Sequence, residues 1–247
     1  MTYLFFIVLL SYLLMQSVET ISFSSRIAGK LSGRLALGTT IQTSIFTMSR
    51  IFLPPLLLSF SYMIESDLSL QMFLLIAISL IFSSFVASIF IIFRLDLFQS
   101  LFQKLFFFYD SCSLPAAIFK VITRKKTTEK RVHLTHFPKL RELSVKKILT
   151  STISYFFLST GFLIAFSMAI LIPEYRMTMS QLTTAFHGIG AIFLAMYIDP
   201  MMSKSLDIKT QNNQWVNNIY SIIIGRSLSY LFSFSVFLGL YLYAWLT

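Results

Sequence analysis

Charge is scarce in this chain: only 12% of its 247 residues are Asp, Glu, Lys or Arg, against 56% hydrophobic residues. With a mean hydropathy of +0.76, that balance excludes a water-soluble globule hiding its apolar groups in one core. The single cysteine, Cys112, excludes an intramolecular disulfide and offers no cysteine pair to a metal. No Gly-rich phosphate loop of the GxxxxGK[ST] type occurs, so the chain is not expected to hydrolyse ATP by itself. His133 and His136 are separated by two residues in a basic stretch, with no further ligand cluster to complete a zinc site. Paired acids inside the apolar stretches, as a hydrolase or transferase would need, are also missing, which argues against an enzyme. No cofactor is expected. No internal repeat is visible, although six helices leave room for a degenerate three-plus-three duplication.

What is abundant is long apolar sequence. Crossing a bilayer takes about 20 apolar residues as a helix, and six such stretches are expected: Thr2–Ser22, Leu35–Ser61, Leu68–Phe93, Ile148–Ile172, Met177–Tyr197 and Val216–Trp245. They are continuously apolar rather than alternating, which favours helices over barrel strands. The fold class is therefore an all-α integral membrane protein, one polytopic domain over residues 1–247. The first stretch has no preceding Lys or Arg and no small-residue cleavage motif, so it is expected to stay attached.

The basic residues set the orientation. Arg26, Lys30 and Arg34 lie between spans one and two, twelve Lys and Arg lie between Arg94 and Lys147, and Lys204 and Lys209 precede span six. The alternate connections carry Glu65, Asp67, Glu174 and Arg176. Short loops rich in Lys and Arg stay cytoplasmic, so both termini are expected outside. The net charge of +10 is then a topology signal, and nucleic acid is not an expected partner. Within the cytoplasmic connection 94–147, Asp96, Gln99, Ser100 and Gln103 recur at helical spacing, which predicts an interfacial amphipathic helix over Arg94–Tyr109. Arg124–Lys147 reads as a basic loop broken at Pro138. It is either a topology signal that also attracts anionic lipid or a docking site for an enzyme or a lipid-linked substrate.

The few charges inside the spans are the candidate functional residues. Arg50 is the only charge between Leu35 and Ser61, and an isolated guanidinium near the bilayer centre costs at least roughly 2.5–3.5 kcal/mol on insertion scales. Pro54 and Pro55 follow it and should bend or break the helix, freeing carbonyls beside the charge. A substrate cavity is one reading; snorkelling of Arg50 to the outer surface is the other. Glu19, near the inner end of span one, and Arg26, about two turns on, share one helical face, as a local ion pair that ends the helix or as a gate or proton site. His187, followed by Gly188 and Gly190, sits in the outer half of span five at a depth similar to Arg50, as a packing or a proton-coupling residue. Asp199 and Pro200 should close span five on the inner side, and Arg226 should begin the inner end of span six if the charge-free run Ser227–Trp245 is its hydrocarbon segment, where it could pair with Asp199.

Two segments carry a family resemblance. Glu19–Leu57 contains Glu19, the RIAG run Arg26–Gly29, Gly33 with Arg34, and Ser49 with Arg50 ahead of the prolines. His187–Asp207 contains the Asp-Pro pair and is followed by Gly225, Arg226 and Ser227. Together they cover about a quarter of the chain and resemble the Amj family, bacterial lipid II flippases unrelated in sequence to MurJ. The resemblance implies movement of lipid II, a peptidoglycan precursor on an undecaprenyl diphosphate carrier, across a bacterial inner membrane in the service of cell-wall synthesis and cell shape. On that reading Arg26, Arg34 and Arg226 collect the diphosphate at the inner mouth and Arg50 receives it deeper, since guanidinium suits phosphate oxygens bidentately. Glu19, His187 and Asp199 would exchange protons or counter-ions. A transporter of another polyprenyl-linked glycan, a scaffold recruiting cell-envelope synthesis proteins through the basic loop, and an enzyme acting on polyprenyl phosphates remain the rival readings.

Overall fold

The computed structural model describes residues 2–123, 138–207 and 214–246; most of the expected basic loop, with His133, His136 and Lys209, lies outside the described residues. Among the described residues there is no strand, and six helical stretches are long and apolar enough to cross a membrane. Span one is α1 (Thr2–Leu31), and span two is α2 (Leu35–Met48) continued by α3 (Leu53–Glu65). Span three is α4 (Leu70–Phe93), followed by α5 (Leu95–Tyr109) and the short α6 (Leu114–Thr123). Span four is α7 (Val145–Leu171), span five is α8 (Arg176–Phe193) with α9 (Asp199–Asp207), and span six is α10 (Gln214–Leu246).

Spans two and five are both interrupted, each beside proline. In span two Ser49–Phe52 forms a 3-10 turn in which the Leu53 amide donates to the Arg50 carbonyl. Pro54 has no N–H to offer that carbonyl, and the tighter turn supplies a donor one residue earlier. The break therefore falls just ahead of the prolines. In span five Leu194–Ile198 is a π-turn, with the Asp199 amide donating to Leu194 five residues back. The wider turn absorbs the bond Pro200 cannot make, and the helix runs on to Asp207. The expectation that Asp-Pro closes the span is corrected accordingly.

The amphipathic helix predicted after span three is α5. Its Phe102, Leu105 and Phe106 are buried, and it packs on α1. Gln99, placed on its polar face by spacing, is instead turned inward and buried. The helix α6 had no counterpart among the expectations.

Helix neighbours follow a simple order. Span two packs on span one, span one on span three, span three on span six, span six on span four, and span four on span five. Both halves of the chain thus repeat one scheme, a first helix flanked by the second and the third, with the two third helices meeting in the middle. Three spans is an odd number, so two such halves sit in the bilayer in opposite orientations. The neighbour order is thus the same in the two halves.

Close crossings are made by glycine and by hydroxyls. A Cβ on Gly38 would lie 2.6 Å from the Ser25 carbonyl oxygen and 2.9 Å from the Gly29 Cα, and one on Gly225 would lie 2.5 Å from the Ile148 carbonyl oxygen. Ser25 donates to the Gly38 carbonyl at 2.8 Å, and Ser151 and Thr152 donate to the carbonyls of Ile222 and Gly225 at 2.7 and 3.0 Å. Lipid tails are as apolar as the helices, so packing and hydrogen bonds hold such crossings together. Gly33, with φ of +69°, makes the turn from α1 into α2.

Candidate functional site

A charged cluster lies where α1, the break in span two, α7 and α10 converge. Its centre is Glu19, 2% exposed, about halfway along α1. One carboxylate oxygen of Glu19 meets Nη2 of Arg226 at 2.8 Å; the other accepts the Ser49 hydroxyl at 3.0 Å and faces Nη2 of Arg50 at 3.4 Å. One carboxylate thus serves two guanidiniums. A second pair, Arg26 with Asp199 at 2.6 Å, lies nearer the basic end and ties α1 to α9. Three guanidiniums face two carboxylates, and one positive charge is left over.

Arg226 is the most enclosed of these side chains, 1% exposed. Its Nη2 also donates to Gln16 Oε1 at 2.7 Å and its Nε to the Tyr230 hydroxyl at 3.1 Å; the Tyr230 hydroxyl in turn donates to Gln16 Oε1 at 2.8 Å. The guanidinium carbon stands 4.6 Å from the centre of the Tyr155 ring, a cation–π contact strengthened by the dry surroundings. Arg50 is held more loosely: its side chain is 22% exposed and its guanidinium lies 4.7 Å from the Phe46 ring. Among the described residues, Nε and Nη1 of Arg26 and Nη1 of Arg226 are buried without a hydrogen-bond acceptor.

Several expectations are corrected here. Arg226 does not open span six. Val216, Ile219, Ile222 and Ile223 are buried before it, and the helix starts at Gln214, about 18 Å earlier at roughly 1.5 Å per residue. Arg226 therefore does not pair with Asp199. Glu19 and Arg26 do share a helix face, yet seven residues separate them by roughly 10 Å along the axis, so each turns to another helix instead of its neighbour. Arg50 turns inward to Glu19. Arg34 meets Asp110 at 2.5 Å and donates to the Phe106 carbonyl at 3.0 Å, tying the α1–α2 turn to α5. His187 is half-buried on α8. Beside it Gly190 admits the backbone of Leu158 on α7, whereas a Cβ on Gly188 would meet nothing.

A family model described as Amj, alternate to MurJ, matches residues 12–240. The chain belongs to the Amj family. No match was found among curated proteins or among solved structures. In this Amj protein the glycines of the two resembling segments, Gly188 apart, serve helix crossings and one turn, while Glu19 gathers Arg50 and Arg226 and Arg26 pairs with Asp199, drawing charges from four spans. The family's description points to a transporter standing in for MurJ rather than to a catalyst, and the six apolar helices make it a multi-pass membrane protein.

Gln16, Ser49, Tyr155 and Tyr230 were not among the expected site residues. Three of them left a signal: Ser49 stands beside Arg50 in the resembling segment, Gln16 precedes Glu19 by three residues and Tyr230 follows Arg226 by four, which places the last two beside their charges on a helix surface. Tyr155 comes from a helix distant in sequence and left none.

Proposed function

We propose that this Amj protein is a flippase that carries lipid II from the inner to the outer leaflet of a bacterial inner membrane, with both termini outside. The observation that supports it is the uneven charge at the cluster. Arg50 shares Glu19 with Arg226 and sits at the longer distance, 3.4 against 2.8 Å, so an arriving diphosphate meets an incompletely neutralised guanidinium beside a break in the helix. A headgroup anion cannot enter hydrocarbon unpaired, and Arg is suited to hold two phosphate oxygens at once. The acceptor-free N–H positions of Arg26 and Arg226 add donors that a phosphate can complete, each otherwise costing on the order of 1–3 kcal/mol.

Arg26 and Arg34 gather the diphosphate from the cytoplasmic side in this reading, Arg50 takes it at mid-depth, and the enclosed Arg226 holds Glu19 beside it. Asp199 releases Arg26 as span five moves, while Glu19 and His187 balance charge around Arg50. Anionic lipid attracted to the basic connection and cell-envelope synthesis proteins are the proposed neighbours of the inner surface.

The test is translocation of fluorescent lipid II by purified protein in liposomes, paired with rescue of cells whose usual lipid II flippase is shut off. Arg50→Ala is expected to insert normally and to abolish both activities, with Arg50→Lys retaining part. Normal translocation by Arg50→Ala defeats the proposed role of Arg50, and wild-type protein that moves no lipid II while moving another polyprenyl-linked glycan transfers the function to that substrate.

A further inference from the structure

Spans two and five stand at the two ends of the neighbour order and are the least buried of the six. No extensive packing joins them, so a cleft runs between α2–α3 on one side and α8–α9 on the other. At the basic end it widens into a cavity of about 530 Å³ whose lining includes Ala36, Thr40, Ser203 and Asp207. At the opposite end it widens into one of about 400 Å³ whose lining includes Ser61, Glu65, Arg176, Ser180 and Gln181. Phe60 of α3 meets Phe162 and Phe166 of α7 behind the second cavity, and α1 with its charged cluster lies behind the middle.

A polar stripe leads from each cavity toward the middle, beginning at Ala36 and Thr40 in the first and at Arg176 and Ser180 in the second. On α2, Ala36, Thr40, Thr43 and Thr47 recur at i, i+4, i+7 and i+11 and lead to Arg50; on α8, Arg176, Ser180, Thr183 and His187 follow the same spacing. That spacing keeps each set on one helical face. Thr40, Thr43 and Thr47 are exposed, in a helix otherwise apolar enough to face lipid. Their hydroxyls donate to carbonyls four residues back, at 2.9–3.1 Å, which leaves acceptor lone pairs facing outward, suited to the O–H and N–H donors of a sugar or peptide. Thr183 Oγ1 is buried without a partner among the described residues. Arg176 spans the far end, donating from Nη1 to the Ile64 carbonyl at 3.1 Å, while its Nε is buried with no acceptor among the described residues.

From these features we propose that the cleft between α2–α3 and α8–α9 is the passage for the headgroup of a sugar-bearing polyprenyl diphosphate, whose hydrocarbon chain stays in the surrounding lipid throughout. The proposal rests on the flippase reading and adds the route. The headgroup enters between α2 and α9, passes Arg50 half-way, and is received by Arg176 between α3 and α8. A polar headgroup needs a hydrogen-bonding lining, and a long hydrocarbon tail cannot be enclosed in a bundle of this size. A slot open along one side meets both requirements. The repeated packing supplies the alternation: exchanging the two halves places α2 on α8 and α3 on α9, so one mouth maps onto the other. A rocking of one half against the other closes the first as it opens the second.

Photo-capture tests the route. A benzophenone side chain is placed at Thr40, Thr47 or Ser180, with Val86 of α4 and Leu242 of α10 as exposed controls outside the cleft, and a radiolabelled polyprenyl diphosphate disaccharide serves as probe in liposomes. Capture at the three cleft positions is expected to exceed the controls several-fold, and Arg50→Ala is expected to remove it at Thr47. Capture spread evenly over all five positions, or adducts with a second copy of the chain in place of lipid, overturns the route. In a Cys112→Ser background, bridging Thr40→Cys to Ser203→Cys with a short bismaleimide is expected to stop translocation, whereas a Gln71→Cys and Ala244→Cys bridge across the packed α4–α10 contact is not. Undiminished translocation by the fully bridged inner pair also overturns it. Unmodified protein that moves no lipid would refute the flippase reading instead, and the pattern of capture would still decide the cleft.

Discussion

Glu19 concentrates more consequence than any other side chain. It neutralises Arg226 within a shell of Gln16, Tyr155 and Tyr230, and breaking a buried pair by removing one partner costs roughly 3–5 kcal/mol because the other charge is stranded. Glu19→Gln is therefore expected to lower the thermal midpoint in detergent markedly. The double variant Glu19→Gln with Arg226→Gln should recover a large part of the loss, since the enclosed guanidinium goes with its counter-ion and only the more exposed Arg50 loses a partner. If the single variant melts like wild type, Glu19 is not the counter-ion the geometry makes it. Arg50 differs in kind. Half-buried and sharing its carboxylate, it is expected to tolerate Arg50→Ala with little change in midpoint, so that stability and translocation separate at adjacent residues of one cluster.

At the scale of single helices, glycine and proline divide the work. Gly225→Ala drives a methyl group to 2.5 Å from the Ile148 carbonyl oxygen, and overpacking of this kind typically costs 1–3 kcal/mol. Gly188→Ala meets open space and is expected to stabilise α8 by roughly 0.5–1 kcal/mol through helix propensity. A thermal melt of both variants beside wild type checks the contrast, and equal behaviour would contradict the crossing at Gly225. The prolines announced a break in span two, and a break is there, since missing N–H groups are a property of the residues themselves. Asp199-Pro200 looked like a terminus and is a π-turn within a longer helix. Residues 199–207 carry on because Met202 and Leu206 are buried against neighbours, a contact no local pattern shows.

For the whole molecule, the open side between spans two and five is the feature from which transport is argued. The orientation read from the basic loops places Gln181 outside and Thr40 inside, and single-cysteine variants in a Cys112→Ser background test this directly. In intact cells a membrane-impermeant maleimide is expected to label Gln181→Cys and to leave Thr40→Cys untouched until the membrane is opened. Reversed labelling would invert the topology and the direction of the proposed transport.

Composition and charge placement were enough to determine six helices, the basic connections between them, a break at Pro54 and Pro55, and that Glu19, Arg50 and Arg226 are charges carried within apolar sequence. Those are statements about single residues or single helices, where hydropathy, N–H inventory and the cost of buried charge act locally. Tertiary packing alone decided which charge met which: Glu19 with Arg226 and Arg50, and Arg26 with Asp199. It also decided the shared packing scheme of the two halves and the unclosed side between spans two and five. Partners across helices are chosen by the order in which the helices pack, and that order leaves no periodicity in the chain from which to read it.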